Sequence, residues 1–352
     1  MIISKEEAAR YLTKAKELQV ESPWMDLHVS PFEVIFNRFK YFPNPNQSRI
    51  FSIENVPYNP PTIGPFRAGE NPEVVSEAGI RDKAEQMSIL LYRQAFAHIG
   101  PRVLSDQMIL SGIRKSLLLP VLHPESAGQD EIDMVSRIYG GDDRFLLGYC
   151  VPNTVAVDDI REDVRSAKRR YGIRAIKLNA NITGIDLSTK FGKTRVEAIL
   201  DAAQSVGLPI IVHGGRSPVI MNPVARDYAS LRNLAEIDWG ITKHAVIISH
   251  GGMMGASSYE IEQEIIPRLK SILTLTNHIM VDISALGIYS LSLILRTVEA
   301  ERIVFGSDYH YYTQWGMIVK LFYALEKMFY HVEDRFLKIV ATNPSRCMLG
   351  RM

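Results

Sequence analysis

The chain alternates short apolar runs with longer amphipathic stretches, and several of the apolar runs stop on an ionisable residue. Ile173-Arg-Ala-Ile-Lys177, Leu208-Pro-Ile-Ile-Val-His213, Val246-Ile-Ile-Ser-His250 and Arg302-Ile-Val-Phe-Gly-Ser-Asp308 each read as a buried strand with a reactive group at its C-terminal edge. Lys177 and His213 are 36 residues apart, His213 and His250 37, and His250 and Asp308 58, which is two steps of 29. These steps are close to the roughly 30 residues of a βαβ unit.

The rest of the chain keeps the same rhythm. Ser4-Lys-Glu-Glu7 has the form of a capping box, and Ala8, Tyr11, Leu12, Ala15 and Leu18 recur at helical spacing, predicting an outer helix over residues 5–19. After Pro23, polar Asp26, His28 and Ser30 alternate with Leu27 and Val29, and a period of two places the three polar side chains on one strand face. Residues 31–80 differ in character, with seven prolines from Pro43 to Pro72 and interspersed aromatics such as Phe36, Tyr41 and Phe66. Following the first strand directly, this stretch is expected to form a lid-like insertion on the face where the strands end. Helices are predicted over 81–99 and 101–112, then strands over 114–122 and 144–151 with a helix between them to about residue 139. Further helices are expected over 157–171, 194–206, 223–236, 259–273, 289–300, 313–330 and 332–340, and a strand over 278–284. Eight strands, each followed by helical sequence, predict an α/β fold: one (β/α)8 TIM-barrel domain spanning 1–352, with catalytic groups at the strand C-terminal ends.

Composition narrows the function. Forty basic against thirty-nine acidic residues give a net charge of +1, so no global field recommends nucleic acid or an anionic membrane as partner. Hydrophobic residues make up 46% and charged residues 22%, ordinary globular material. Cys150 and Cys347 stand far apart and offer neither a disulfide framework nor a thiolate metal site. No signal peptide or 18-residue apolar run is visible, so the expectation is a soluble, cytoplasmic protein acting on a small molecule, with homo-oligomerisation left open. Gly214-Gly215 and Gly251-Gly252 are too short for a phosphate loop.

Imidazoles and a carboxylate brought from separate strands, without thiolates, suit one catalytic divalent ion with a position left for water. His28, His213, His250 and Asp308 supply such a set, and Asp308 is placed to accept a proton. Lys177 has three readings: a carbamylated ligand, a cation for a substrate carboxylate, or a structural ion pair. Arg216, three residues beyond His213, reads either as a carboxylate clamp or as a solvated loop residue. His98, His123, His244, His278 and His331 and the methionines are assigned to packing.

In this order, Asp26-x-His28, Gly172-Ile-Arg-Ala-Ile-Lys177-Leu, Pro209-Ile-Ile-Val-His213-Gly-Gly, Ile-Ser-His250-Gly-Gly and Phe-Gly-Ser-Asp308-Tyr resemble the amidohydrolase superfamily. The closer match is to its amidohydrolase-related branch of aminocarboxymuconate-semialdehyde decarboxylase-like proteins. The resemblance runs from residue 24 to the end, including Ala341-Thr-Asn343-Pro. It implies a metal-dependent barrel that hydrolyses C–O or C–N bonds or, in this branch, removes carboxylate from an aromatic or enol-like acid. The family's first motif is Asp-x-His-x-His, and here Ser30 stands at the second histidine, leaving His28 joined by Asp26 on that strand. His310 stands where the branch usually has proline and is expected as a substrate contact at the mouth.

The expected arrangement is therefore one divalent ion, zinc first and manganese as the alternative, on His28, His213, Asp308 and Asp26. His250 and Asp308 are the expected catalytic groups, and Lys177, Arg216 and His310 the substrate contacts. Hydrolysis of a small carboxylated lactone, ester or amide is the first reaction expected. Non-oxidative decarboxylation is the alternative chemistry, and an inactive barrel serving as a binding protein is the alternative of another class.

Overall fold

The computed structural model describes residues 5–18, 22–31, 101–122, 126, 128–217, 222, 224–309 and 312–349. The expected lid-like insertion, the helix over 81–99, the Ser4 cap, His98, His123 and His310 lie outside these residues. Eight parallel strands follow one another around a single sheet: β1 (Met25–Val29), β2 (Lys115–Leu118), β3 (Phe145–Tyr149), β4 (Ala175–Leu178), β5 (Ile210–Val212), β6 (Val246–Ile248), β7 (Ile279–Asp282) and β8 (Ile303–Val304). The barrel closes where the chain after β8 meets β1. Leu27 N donates to Phe305 O (3.1 Å), Asp308 N to His28 O (2.8 Å) and Ser30 N to Tyr309 O (2.6 Å). The longer helices are α1 (Lys5–Glu17), α2 (Pro101–Ser111), α3 (Gln129–Tyr139), α4 (Ile160–Tyr171), α5 (Lys190–Val206), α6 (Ile266–Leu275), α7 (Ile288–Thr297) and α8 (Gln314–Met328). This is the (β/α)8 architecture expected from the strand rhythm. Among the described residues, no helix is long and apolar enough to cross a membrane.

Period-two alternation sorts each strand into two cores. Leu27, Leu117, Leu146, Ala175, Ile211, Ile247, Met280 and Val304 belong to an inner cluster that fills the barrel. Their neighbours Ile176, Val212, Ile248 and Val281 join the larger cluster beneath the helices. Parity then decides which polar side chains reach the barrel mouth. Lys177, His213 and Asp282 each lie two residues beyond an inner residue, at the C-terminal end of the strand.

β1 departs from simple alternation. Its pairing with β2 shifts register between Asp26 and Val29, the mark of a bulge. Leu27 lies in the inner cluster, Asp26 turns toward α8, where Gln314 Nε2 donates to it (2.8 Å), and the bulge brings His28 back to the interior. Asp26 and His28 therefore do not share the face that a regular period of two predicts.

Two helices also differ from expectation. The stretch 223–236 breaks into a 3-10 turn, Ala225–Asp227, and a short helix, Leu231–Leu234. Tertiary hydrogen bonds take its backbone instead: Ala229 N donates to Asn181 Oδ1 (3.0 Å) and Gly215 N to Ala229 O (2.9 Å). α5 begins four residues early because the Thr189 hydroxyl caps it, accepting from Gly192 N. α1 lies against α8, with Tyr11 edge-on to Tyr323 at 5.5 Å and Lys14 paired with Glu326 at 2.8 Å.

Candidate active site

The C-terminal ends of β1, β4, β5, β6, β7 and the segment after β8 bring His28, Lys177, His213, His250, Asp282 and Asp308 together, all with buried side chains. The His28 and His250 rings lie 5.0 Å apart, and those of His213 and His250 5.1 Å apart. Local backbone arranges this crowding. His250 and Asp308 adopt left-handed φ values of 57° and 61°, and Ala285, just past β7, one of 57°. Left-handed non-glycine residues are costly and persist where surrounding structure fixes them, often at functional sites. The two His-Gly-Gly turns press on each other, since a Cβ on Gly214 would lie 2.8 Å from the Gly252 Cα. Gly306 makes room for His28 beside Asp282, for a Cβ there would lie 2.8 Å from the His28 Cβ.

His28 uses both ring nitrogens. Its Nδ1 lies 2.9 Å from Asp282 Oδ2 and 3.0 Å from Ser284 Oγ. Its Nε2 lies 3.0 Å from Lys177 Nζ and 3.8 Å from Asp308 Oδ1. Ser30, at the second-histidine position, donates from Oγ to Asp308 Oδ1 (3.1 Å). His250 Nδ1 faces the Ser284 carbonyl at 3.0 Å and the Ser284 hydroxyl at 2.9 Å. Asp282 Oδ1 accepts from His250 N (2.9 Å), Ser284 N (2.9 Å) and Ser284 Oγ. The sequence reasoning missed Asp282 and Ser284. Inward parity with Met280 on a predicted strand is the signal that locates Asp282.

Burial lowers the pKa of the imidazoles. It pushes His250 down to about 4, reinforced by His28 and opposed by Asp308 and Asp282. His213 is held well below its ordinary value by burial and by the neighbouring His250, Lys177 and His28. Burial also brings Lys177 down to about 8, although Asp282 and Asp308 attract its charge through space. For Asp282, burial acts upward, but His28, His250 and Ser284 together hold the carboxyl well below the usual range. At neutral pH the site thus holds neutral His213 and His250, an ionised Asp282 and a mostly charged Lys177.

These residues fit a divalent metal ion. His213 Nε2 is buried and has no hydrogen-bond partner among the described residues. A buried lone pair without a donor costs free energy, and a cation satisfies it. His28 Nε2 and Asp308 supply further nitrogen and oxygen donors at the same mouth. Among the described residues, the group of three whose potential ligand atoms all lie within 4.8 Å of one another is His28, His250 and Asp282.

The other expected site residues lie elsewhere. Asp26 is filled by hydrogen bonds from His28 N (3.0 Å), Ser307 N (3.0 Å), Ser307 Oγ (2.5 Å) and Gln314 Nε2 (2.8 Å), and burial raises it to about 6. It supports β1 from behind and is not brought to the imidazoles. Arg216 is likewise engaged, by Glu260 (2.6 Å), Asp227 (3.2 Å) and the Gly255 carbonyl (3.2 Å). It lines a cavity of about 360 Å3 with Asp227, Arg232 and Glu260, and none of the clustered His, Lys or Asp side chains at the mouth borders that cavity. Arg216 is held there by Glu260 and Asp227, and Arg232 by Glu264, and the chemistry is assigned to the imidazole cluster.

Residues 129–346, well over half of the chain, match the family model described as Amidohydrolase. The fold is similar to that of 5-carboxyvanillate decarboxylase from Novosphingobium aromaticivorans, solved with manganese and 4-hydroxy-3-methoxy-5-nitrobenzoic acid. That match has 14% identity, covers 95% of this chain and 97% of that one, and has a TM-score of 0.56. A 2,6-dihydroxybenzoate decarboxylase from Rhizobium matches at 11% identity over 93% and 99% of the two chains, TM-score 0.57. An amidohydrolase from Burkholderia multivorans matches at 12% over 93% and 99%, TM-score 0.55. At such identities the likeness establishes the fold. Among curated proteins, none matches this sequence.

Proposed function

The chain belongs to the amidohydrolase family, and on that premise we propose that it is a metal-dependent, non-oxidative decarboxylase of an aromatic or enol carboxylic acid. The observation that carries this reading is the buried Lys177 ammonium, facing the mouth 3.0 Å from His28 Nε2. A divalent ion and this ammonium together outweigh the carboxylates of Asp282 and Asp308 by one positive charge. In a site shielded from water such a surplus favours an anionic ligand. That surplus suits any carboxylated substrate, including the carboxylated lactone, ester or amide expected first from the sequence, and the decarboxylation alternative is preferred over hydrolysis on the solved proteins of similar fold. Two of the solved proteins with similar folds are decarboxylases of hydroxylated or methoxylated benzoates, which supports the same choice, and one was solved with manganese, which supports manganese as much as zinc for the metal.

His28, His213 and Asp308 would hold the ion, which supplies positive charge that stabilises electron density returning to the substrate as its carboxylate departs. Lys177 binds the substrate carboxylate. His250, neutral and with its Nδ1 turned to Ser284, accepts a hydrogen bond from a substrate hydroxyl at Nε2. Asp308, held by Ser30, would take a proton from solvent once the anionic substrate has bound and pass it to the substrate carbon. The bond to the carboxylate breaks, its electron pair forms the new C–H bond, and carbon dioxide leaves.

The test is to load purified protein with Mn2+ or Zn2+ and supply a panel of hydroxybenzoates and carboxylated lactones. The expected result is metal-dependent carbon dioxide release from a hydroxybenzoate-type acid. Lactone opening without carbon dioxide would overturn this reading in favour of hydrolysis, and metal binding with no turnover of either class would favour a binding protein.

A further inference from the structure

We propose that Asp282 and Ser284 are positioning residues that fix the tautomers of His28 and His250, presenting Nε2 of each imidazole to the barrel mouth. The proposal deepens the functional reading above and rests on its placement of a divalent ion at His28 Nε2. Neither residue belongs to the motifs that mark the strand ends.

The hydrogen bonds allow one assignment of protons. Ser284 Oγ gives its hydrogen to Asp282 Oδ1 and so faces His28 Nδ1 as an acceptor at 3.0 Å, which puts the hydrogen on Nδ1, and Asp282 Oδ2 accepts it at 2.9 Å. The Ser284 carbonyl also only accepts, so the hydrogen at the facing nitrogen of His250 lies on Nδ1 (3.0 Å). Ser284 Oγ donates its own hydrogen to Asp282 Oδ1, and toward the two Nδ1 atoms, at 3.0 and 2.9 Å, it acts as acceptor. Asp282 Oδ1 further accepts the backbone N–H groups of His250 and Ser284, each at 2.9 Å, which ties the β6 and β7 turns together. A neutral imidazole with its hydrogen on Nδ1 offers a lone pair only at Nε2. One carboxylate and one hydroxyl thus determine what both rings can do, as outer partners of metal-binding histidines do generally.

The same atoms could be read as a second cation seat, since His28, His250 and Asp282 form a compact group. Two observations favour support over ligation. The Asp282 carboxylate already accepts four hydrogens, and a cation would have to displace those on His28 Nδ1 and Ser284 Oγ. Ser284 Oγ also stands 3.0 Å from His28 Nδ1 and 2.9 Å from His250 Nδ1, between the nitrogens that such a cation would use.

The experiment compares wild type, Asp282→Asn, Ser284→Ala and His213→Ala by Mn2+ and Zn2+ titration and by 15N NMR of histidine-labelled protein. In metal-free wild type, His28 and His250 should both show the Nδ1–H form. Asp282→Asn keeps an oxygen for the backbone donors but turns an NH2 toward His28 Nδ1, so His28 should move to the Nε2–H form. Metal affinity should then fall by about 10- to 100-fold. Ser284→Ala should disturb the His250 signal with a smaller loss of affinity, and His213→Ala should weaken binding as a lost ligand does. Unchanged His28 tautomer and affinity in Asp282→Asn would overturn the proposal. So would binding that survives His213→Ala but vanishes in Asp282→Asn, because Asp282 would then be a ligand. If wild type binds neither metal, the functional reading fails, while the metal-free spectra still decide the tautomers. Should Asp282→Asn not fold, an Nε2–H form of His28 or His250 in wild type would be enough to overturn the assignment.

Discussion

Lys177 Nζ stands 3.0 Å from His28 Nε2, so a buried amine lies beside the nitrogen proposed to hold a metal. Its place suits a substrate anion bound next to the ion. A hydrogen bond to a charged group contributes about 1.5–3 kcal/mol, so Lys177→Met should raise KM for a carboxylate substrate by roughly 10- to 100-fold. Metal affinity should hold or improve, because a like charge has been removed. Steady-state kinetics with a parallel metal titration checks both. Loss of metal binding would mean that Lys177 is itself a ligand.

Asp308→Asn keeps shape but removes the proton carrier. A positioned acid or base contributes about 100- to 10,000-fold to the rate, and kcat should fall by that order with the melting temperature nearly unchanged. Retained activity would remove Asp308 from the proton step.

Ser30→Ala deletes the 3.1 Å hydrogen bond that fixes Asp308 Oδ1. Loss of one such bond at a partly buried site costs on the order of 1 kcal/mol, which corresponds to roughly a five-fold drop in kcat. A variant as fast as wild type would show that the hydroxyl does not orient the carboxylate.

Acid should destabilise the metal-free protein through its imidazoles. His250 titrates at about 4 in the fold against 6.5 ordinarily, so the unfolded chain binds the proton more readily between these values. Stability is therefore lost as pH falls from 6.5 toward 4, by up to about 3 kcal/mol for this group. Asp26 has the opposite sign: raised to about 6 from 3.8, it binds its proton more tightly when folded and favours the fold as pH falls through that window. His250→Asn isolates the first effect, since asparagine tolerates the left-handed backbone. Its melting temperature should fall less than that of wild type between pH 6.5 and 4, and parallel curves would contradict the assignment.

The strand ends were legible because a buried run that stops on Lys177, His213, His250 or Asp308 has few other uses for such a side chain, and all four reach the mouth. What escaped depends on geometry that periodicity does not carry. A bulge in β1 separates Asp26 from His28. Asp282 sat inside a predicted strand, and only its parity with Met280 marked it. Arg216 lies close to His213 in sequence, yet Glu260, distant along the chain, holds its guanidinium. The stretch 223–236 had helical spacing, but Asn181 and Gly215 claim the backbone of Ala229.

Anomalous diffraction from crystals grown with Mn2+ tests the central claim most directly. The account predicts one peak at the barrel mouth, bounded by His28 Nε2, His213 Nε2 and the Asp308 carboxylate. A peak on the His28 Nδ1 side against Asp282, or no peak at the mouth with Mn2+ in excess, would contradict it.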